Sequence, residues 1–175
     1  MVTRSEAAAQ LAPARLEPVR TLLNSWLIPN DTRAPTDRFS ELAHKQRWRP
    51  TESARVRELR DDLRRALETG DVFLVNTWID RVALRPAVEN GEIVYWHRRG
   101  PAGQMVAAVV TAIGDGTWKR MKVCPDCHWV FYDNTRNGSK RWCLMYAGGP
   151  DGRACGTIAK VRRYRDRHSA AGTAQ

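Results

Sequence analysis

No run of about 18 consecutive apolar residues occurs in this chain, so no membrane-spanning helix and no membrane partner are expected. The first 18 residues lack the apolar stretch of a secretory signal, and the expected compartment is the cytoplasm. Histidine is scarce: His44, His97, His128 and His168 are the four, with no metal-ligand spacing among them. Cysteine is absent before residue 124. The chain has no internal repeat, no low-complexity linker, no Gly-rich phosphate motif and no recognisable nucleophile, which makes an enzyme the least favoured class. Hydrophobic residues at 42% and charged residues at 27% are ordinary for a globular chain and sufficient for a packed core.

What is abundant is positive charge, and it is localised. The formal net charge is +10, from 29 Lys+Arg against 19 Asp+Glu. Residues 118–168 hold 12 of those cations and 4 of the acids, a net of +8, and the rest of the chain is nearly balanced. A basic excess confined to one third of a chain is the footprint of a polyanionic partner, nucleic acid first. A solvated basic surface is the plainer alternative.

The first two thirds read as mainly α-helical. Leu16, Val19, Leu22, Leu23, Trp26 and Leu27 have helical spacing, predicting a helix over 16–27 that ends at Pro29-Asn30-Asp31. A short helix is predicted over 37–47, with Phe39 and Leu42 inward and Thr36 or Asp37 as cap. Val56, Leu59, Leu63 and Leu67 mark a helix over 52–68 with a charged outer face, Thr51 or Ser53 at its start and Gly70 at its end. Residues 72–84 read as a further helix stopped by Pro86, residues 93–97 as a strand, and residues 105–113 as a buried helix ending at Gly114. Asn24 is a candidate buried polar contact. Trp26, Trp48, Trp78 and Trp96 either line a pocket or belong to the core.

From Trp118 the texture changes to strand, tight turn, strand and loop, then a basic helix over 158–168 opened by Thr157. The four cysteines are spaced Cys124-x2-Cys127-x15-Cys143-x11-Cys155, all within 32 residues. A C-x2-C turn aims two thiolates at one ion, and four thiolates close a tetrahedral zinc site with no position left for a catalytic water. Cys124-Pro125-Asp126-Cys127-His128 also matches a haem-attachment pattern, which would leave Cys143 and Cys155 without a role. A dithiol redox pair is the other rival, without the expected strand and long helix around it. His128 is expected beside the site and not in it. Trp118, Trp129, Phe131, Tyr132 and Trp142 are expected to pack around one structural zinc per chain.

Lys160, Arg162, Arg163, Arg165 and Arg167 crowd the C-terminal helix, with Ile158, Val161 and Tyr164 able to face the zinc. Arg136, Lys140 and Arg141 form a second cluster on the loop before Cys143. These eight are the candidate nucleic-acid contacts, since guanidinium forks suit phosphate oxygens and guanine edges.

Several segments together resemble a known family. They are Val123-Cys124-Pro125-Asp126-Cys127-His128-Trp129-Val130-Phe131-Tyr132-Asp133, Thr135-Arg136-Asn137, Lys140-Arg141-Trp142-Cys143-Leu144-Met145, and Cys155-Gly156 followed by Ala159-Lys160-Val161-Arg162-Arg163-Tyr164-Arg165. The family they resemble is the CGNR zinc finger. Upstream, Val19 to Ser25 is similar to an early segment of the helical, ABATE-type domain that precedes the finger in that family. The resemblance implies a bacterial transcription regulator that binds double-stranded DNA through the finger, with the helical domain sensing a small molecule or a protein. Two departures stand out. Cys155-Gly156-Thr157-Ile158 replaces the family's Cys-Gly-Asn-Arg, and Ala147 to Arg153 form an inserted loop.

The expectation is therefore a mainly α (α+β) chain. A helical sensor or interaction domain spans 1–117, a four-cysteine finger of zinc-knuckle hairpin plus helix spans 118–168, and a disordered tail spans 169–175. The helical domain is expected to fold without zinc. A protein-interaction adaptor and an enzyme with a structural zinc remain as alternatives.

Overall fold

The computed structural model describes residues 11–29, 32–144 and 154–172, the side chains of 166, 167 and 169–172 excepted. Leu16, Val19, Leu22 and Leu23 are buried along one side of α1 (Glu17–Leu23), and Pro18 sits in its first turn, where a missing N–H breaks no helical bond. The predicted continuation to Leu27 does not form. Ser25 Oγ donates to the Leu22 carbonyl at 2.7 Å, the Asn24 amide bonds to Val130, and the chain straightens into β1 (Trp26–Leu27), antiparallel to β2 (Thr36–Asp37). Asp37 Oδ1 accepts the Phe39 N–H at 2.9 Å and starts α2 (Phe39–Lys45), with Phe39 buried and Leu42 half-buried.

α3 (Pro50–Thr69) is the longest helix of the helical part. Val56, Leu59 and Leu63 are buried as predicted, and Gly70 ends it at φ +75°. Its start is secured by Glu52, which accepts the Arg49 N–H at 3.0 Å, and not by Thr51 or Ser53. α4 (Phe73–Arg81) buries Val75 and Trp78. It stops before Leu84, and Pro86 lies within β3 (Arg85–Glu89), paired antiparallel with β4 (Glu92–Trp96). The turn between them places Asn90 and Gly91 at φ +52° and +80°, the left-handed pair that a two-residue hairpin requires. In a two-stranded ribbon Pro86 interrupts no central ladder. α5 (Pro101–Gly114) buries Ala102, Met105, Val106, Val109 and Ala112.

A single 3-10 turn (Trp118–Arg120) leads into β5 (Met121–Val123), antiparallel to β6 (Val130–Tyr132), and α6 (Cys155–Gly172) closes the described chain, running past residue 168. The fold is thus α+β, with six helices and three two-stranded sheets among the described residues. No helix among them is long and apolar enough to cross a membrane.

The sequence predicts a helical core complete in itself; the packing differs. Trp118, Met121, Val130 and Tyr132 belong to the same buried cluster as α1, α3, α4 and α5. Polar contacts follow the same seam. The Asn24 side chain donates to the Val130 carbonyl at 2.8 Å and accepts the Val130 N–H at 2.7 Å, replacing a missing strand neighbour. Ile28 N–H donates to the Cys127 carbonyl at 3.0 Å. Arg64, on the face of α3 predicted to be solvated, is buried instead. It donates to the carbonyls of Leu23 (2.8 Å), Trp26 (3.2 Å) and His128 (3.1 Å), with its guanidinium 4.5 Å above the Trp26 ring. Beside it, Arg60 grips Asp37 at 2.7 and 3.0 Å and holds that carboxyl below the ordinary carboxylate range.

Asn24→Ala strands both backbone groups of the fully buried Val130. The expected cost is about 2–4 kcal/mol, read as a lowered urea midpoint of the zinc-loaded protein. A destabilisation below about 0.5 kcal/mol would show that water replaces the amide without penalty.

Candidate metal centre and the basic surface around it

The hairpin β5–β6 builds a knuckle. Cys124 N–H donates to the Trp129 carbonyl and His128 N–H to the Cys124 carbonyl, both at 2.9 Å, with His128 at φ +55° turning the chain back. Cys124 and Cys127 leave this turn, Cys143 follows Trp142, and Cys155 is the first residue of α6. All four are buried, and their sulfurs lie within 4.8 Å of one another. Cys127 Sγ is 3.3 Å from Cys143 Sγ, which is 3.6 Å from Cys155 Sγ. A disulfide needs about 2.05 Å. Zinc–thiolate bonds of about 2.3 Å put tetrahedral sulfurs about 3.8 Å apart, so this spacing fits one ion and no cross-link.

Metal-free, the cluster cannot ionise fully. The neighbouring sulfurs and burial push the Cys127 and Cys143 thiols far up. A divalent cation replaces those protons and relieves the thiolate repulsion.

The aromatics divide by strand alternation. Phe131 points to the sulfurs, with Trp129 and Trp142 packed beside it. Val130 and Tyr132, on the opposite face of β6, join the main core, as does Trp118, contrary to the expectation that all five aromatics surround the zinc. Trp142 lies against Gly156: a Cβ there would be 3.2 Å from the indole Cδ1 and Cγ, so a larger residue requires the indole to shift by a few tenths of an ångström.

Residues 120–168 match the family model described as the CGNR zinc finger. The four cysteines are its structural zinc site. No curated protein matches the chain.

The finger's loop is ordered by Asp133, which sequence reasoning passed over. It is fully buried and accepts from Lys122 Nζ (2.8 Å), Thr135 N–H (3.0 Å), Thr135 Oγ1 (2.5 Å) and Lys140 N–H (2.8 Å). Burial alone would raise its carboxyl; the Lys122 ammonium and the Thr135 and Lys140 donors hold it well below the usual range. Lys122 also donates to the Gly138 and Lys140 carbonyls, and Arg120 to those of Asp133 (2.9 Å) and Thr135 (2.7 Å). Two of the counted cations are therefore loop fasteners. The Asp-x-Thr pattern, an aspartate bonding two residues on, was the available signal.

Of the eight candidate contacts, Arg136, Arg141, Lys160, Arg163 and Arg165 are exposed. Lys140 is half-buried, with its ammonium 5.7 Å from the Phe131 ring. Arg162 is exposed but ion-paired at 3.6 Å with Asp126, which also accepts from Arg33 at 3.2 and 3.3 Å. The knuckle aspartate thus ties α6 to the segment after β1. Arg141 and Arg163 line a common cleft of 290 Å³ beside Trp142. The Arg167 side chain and the inserted loop at 147–153 lie outside the described residues, as does residue 173 onward of the predicted tail.

Thr157 lies within the first turn of α6 and does not cap it, because the helix already starts at Cys155. Ile158 and Val161 are half-buried, whereas Tyr164 is 58% exposed and its ring lies 4.2 Å from His168, one turn on, instead of facing the zinc. His128 is no ligand: its Nδ1 lies 3.4 Å from Glu68 and its ring is edge-on to Trp26. The four tryptophans line no common pocket. Trp78 is core, Trp26 lies under Arg64, Trp48 flanks a cleft near Met105, and Trp96 is 64% exposed.

Elemental analysis of protein purified without added metal is expected to give one zinc per chain, and Cys143→Ser to lose it. Because Val130 and Tyr132 sit in the main core, chelation is expected to lower the thermal midpoint of the helical circular dichroism as well. An unchanged midpoint would mean that the seam contributes nothing to the helices. Zinc retention is expected to fall as pH falls, since each proton added to a thiolate removes a ligand.

Proposed function

We propose that the CGNR finger is the DNA-binding surface of a transcription regulator, and that the helical residues couple a small-molecule or protein signal to it. The observation that carries this reading is that the zinc anchors two basic segments at once. The loop with Arg136, Lys140 and Arg141 runs into Cys143, and the helix with Lys160, Arg163 and Arg165 begins at Cys155. Cations held on one rigid scaffold neutralise phosphates without the entropic cost of ordering two free chains. Arg162 has a different part in this reading: its pairing with Asp126 orients α6.

A second reading, a protein-interaction adaptor, is favoured by the β3–β4 hairpin, where Val88 and Ile93 face each other across the strands at 76% and 66% exposure.

Duplex DNA titrations at two salt concentrations test the first. Affinity is expected to fall steeply with salt, with a log–log slope of about −0.9 per phosphate neutralised. Replacing Arg163 and Arg165 by Ala should weaken binding and flatten the slope by about one unit for each phosphate that the variant no longer neutralises. Absence of binding at low salt, own-promoter fragments included, would reject the regulator and leave the adaptor.

A further inference from the structure

A groove of 730 Å³ separates the C-terminal turn of α3 from the finger. Its floor is apolar, with Leu67, Val72, Trp118, Val123 and Pro125 among its lining. Its rim is cationic, with Lys119, Lys140 and Arg141. Lys119 and Arg141 are exposed and make no ion pair among the described residues. Glu68, the acid on this rim, is engaged by Arg64 at 3.6 Å and His128 at 3.4 Å, and Lys122 by Asp133 at 2.8 Å. The groove therefore presents uncompensated positive charge above an apolar bed, within the size range of small-molecule sites.

The chemistry of the two walls selects the occupant. A neutral apolar molecule would leave the cations without a counterion, and a bare inorganic anion would leave the floor wet. We infer that the groove binds a small apolar carboxylic acid, its hydrocarbon on Trp118, Leu67 and Val72 and its carboxylate at Lys119 and Arg141. This deepens the sensing half of the proposed function, on which it rests only for its consequence. Arg141 and Pro125 line both this groove and the cleft that holds Arg163. A carboxylate paired with Arg141 removes one cation from the polyanion surface, so ligand and nucleic acid oppose each other's binding by the same factor.

The test uses the zinc-loaded full chain and 1-naphthoate as probe, followed by amide and indole NMR shifts without nucleic acid, so it is read separately from DNA binding. Saturable shifts are expected at Val72, Trp118, Val123 and Arg141, and the neutral 1-naphthalenemethanol should bind about tenfold more weakly. Lys119→Glu, at an exposed position, should weaken naphthoate binding by about tenfold or more, and Val72→Trp, which fills the groove, should abolish it. Shifts scattered outside the groove, equal binding of acid and alcohol, or full affinity in Lys119→Glu would each overturn the inference.

Discussion

Four sulfurs held within 4.8 Å of one another repel strongly once ionised, and a divalent cation between them turns that repulsion into attraction. The meeting of Cys143 and Cys155 with the knuckle turn depends on it. The segments meeting there are a knuckle turn, the end of a loop and the start of a helix. Phe131, Trp129 and Trp142 cover the thiolates, but they pack on the cluster and do not replace it.

The zinc site is also where two hydrophobic systems touch. β6 is three residues long and entirely buried, and its alternation sends Phe131 to the sulfurs and Val130 and Tyr132 to the helices. One strand is thus shared by the cysteine cluster and the helical core. The backbone of that strand lacks a third strand neighbour, and Asn24 supplies one by pairing with both polar groups of Val130. Arg64 does the same for three carbonyls with its guanidinium over the Trp26 ring; burial pulls it below the usual arginine range, against the pull of the Glu68 carboxylate 3.6 Å away.

Positive charge in the finger is divided between construction and display. Arg120 and Lys122 are engaged by loop carbonyls and by Asp133, and Arg162 by Asp126. A count of basic residues overstates the field at the surface, since a cation bonded to a buried carboxylate presents little potential to solvent. Among the described residues, Lys119, Arg136, Arg141, Lys160, Arg163 and Arg165 are exposed as well, with Arg141 shared between two concavities.

Local chemistry was legible in the residues alone. The cysteine spacing specified a four-thiolate site, because ligand geometry restricts which separations work. The apolar periodicity of Val56, Leu59 and Leu63 specified the long helix, and Gly70 its end. Elements whose boundaries depend on distant partners were not legible. The helix predicted through Leu27 stops at Leu23 because Asn24 is claimed by Val130, 106 residues away. Pro86 looked like a helix stop and lies in a hairpin, since a two-stranded ribbon tolerates it. Arg60 and Arg64 looked like a solvated face, because a sequence does not reveal which carbonyls a fold leaves unpaired. The chain by itself determined the metal, the helical class and the basic third. Only the tertiary structure decided that finger and helices share one core and which cations face solvent, because both depend on contacts between residues far apart in sequence.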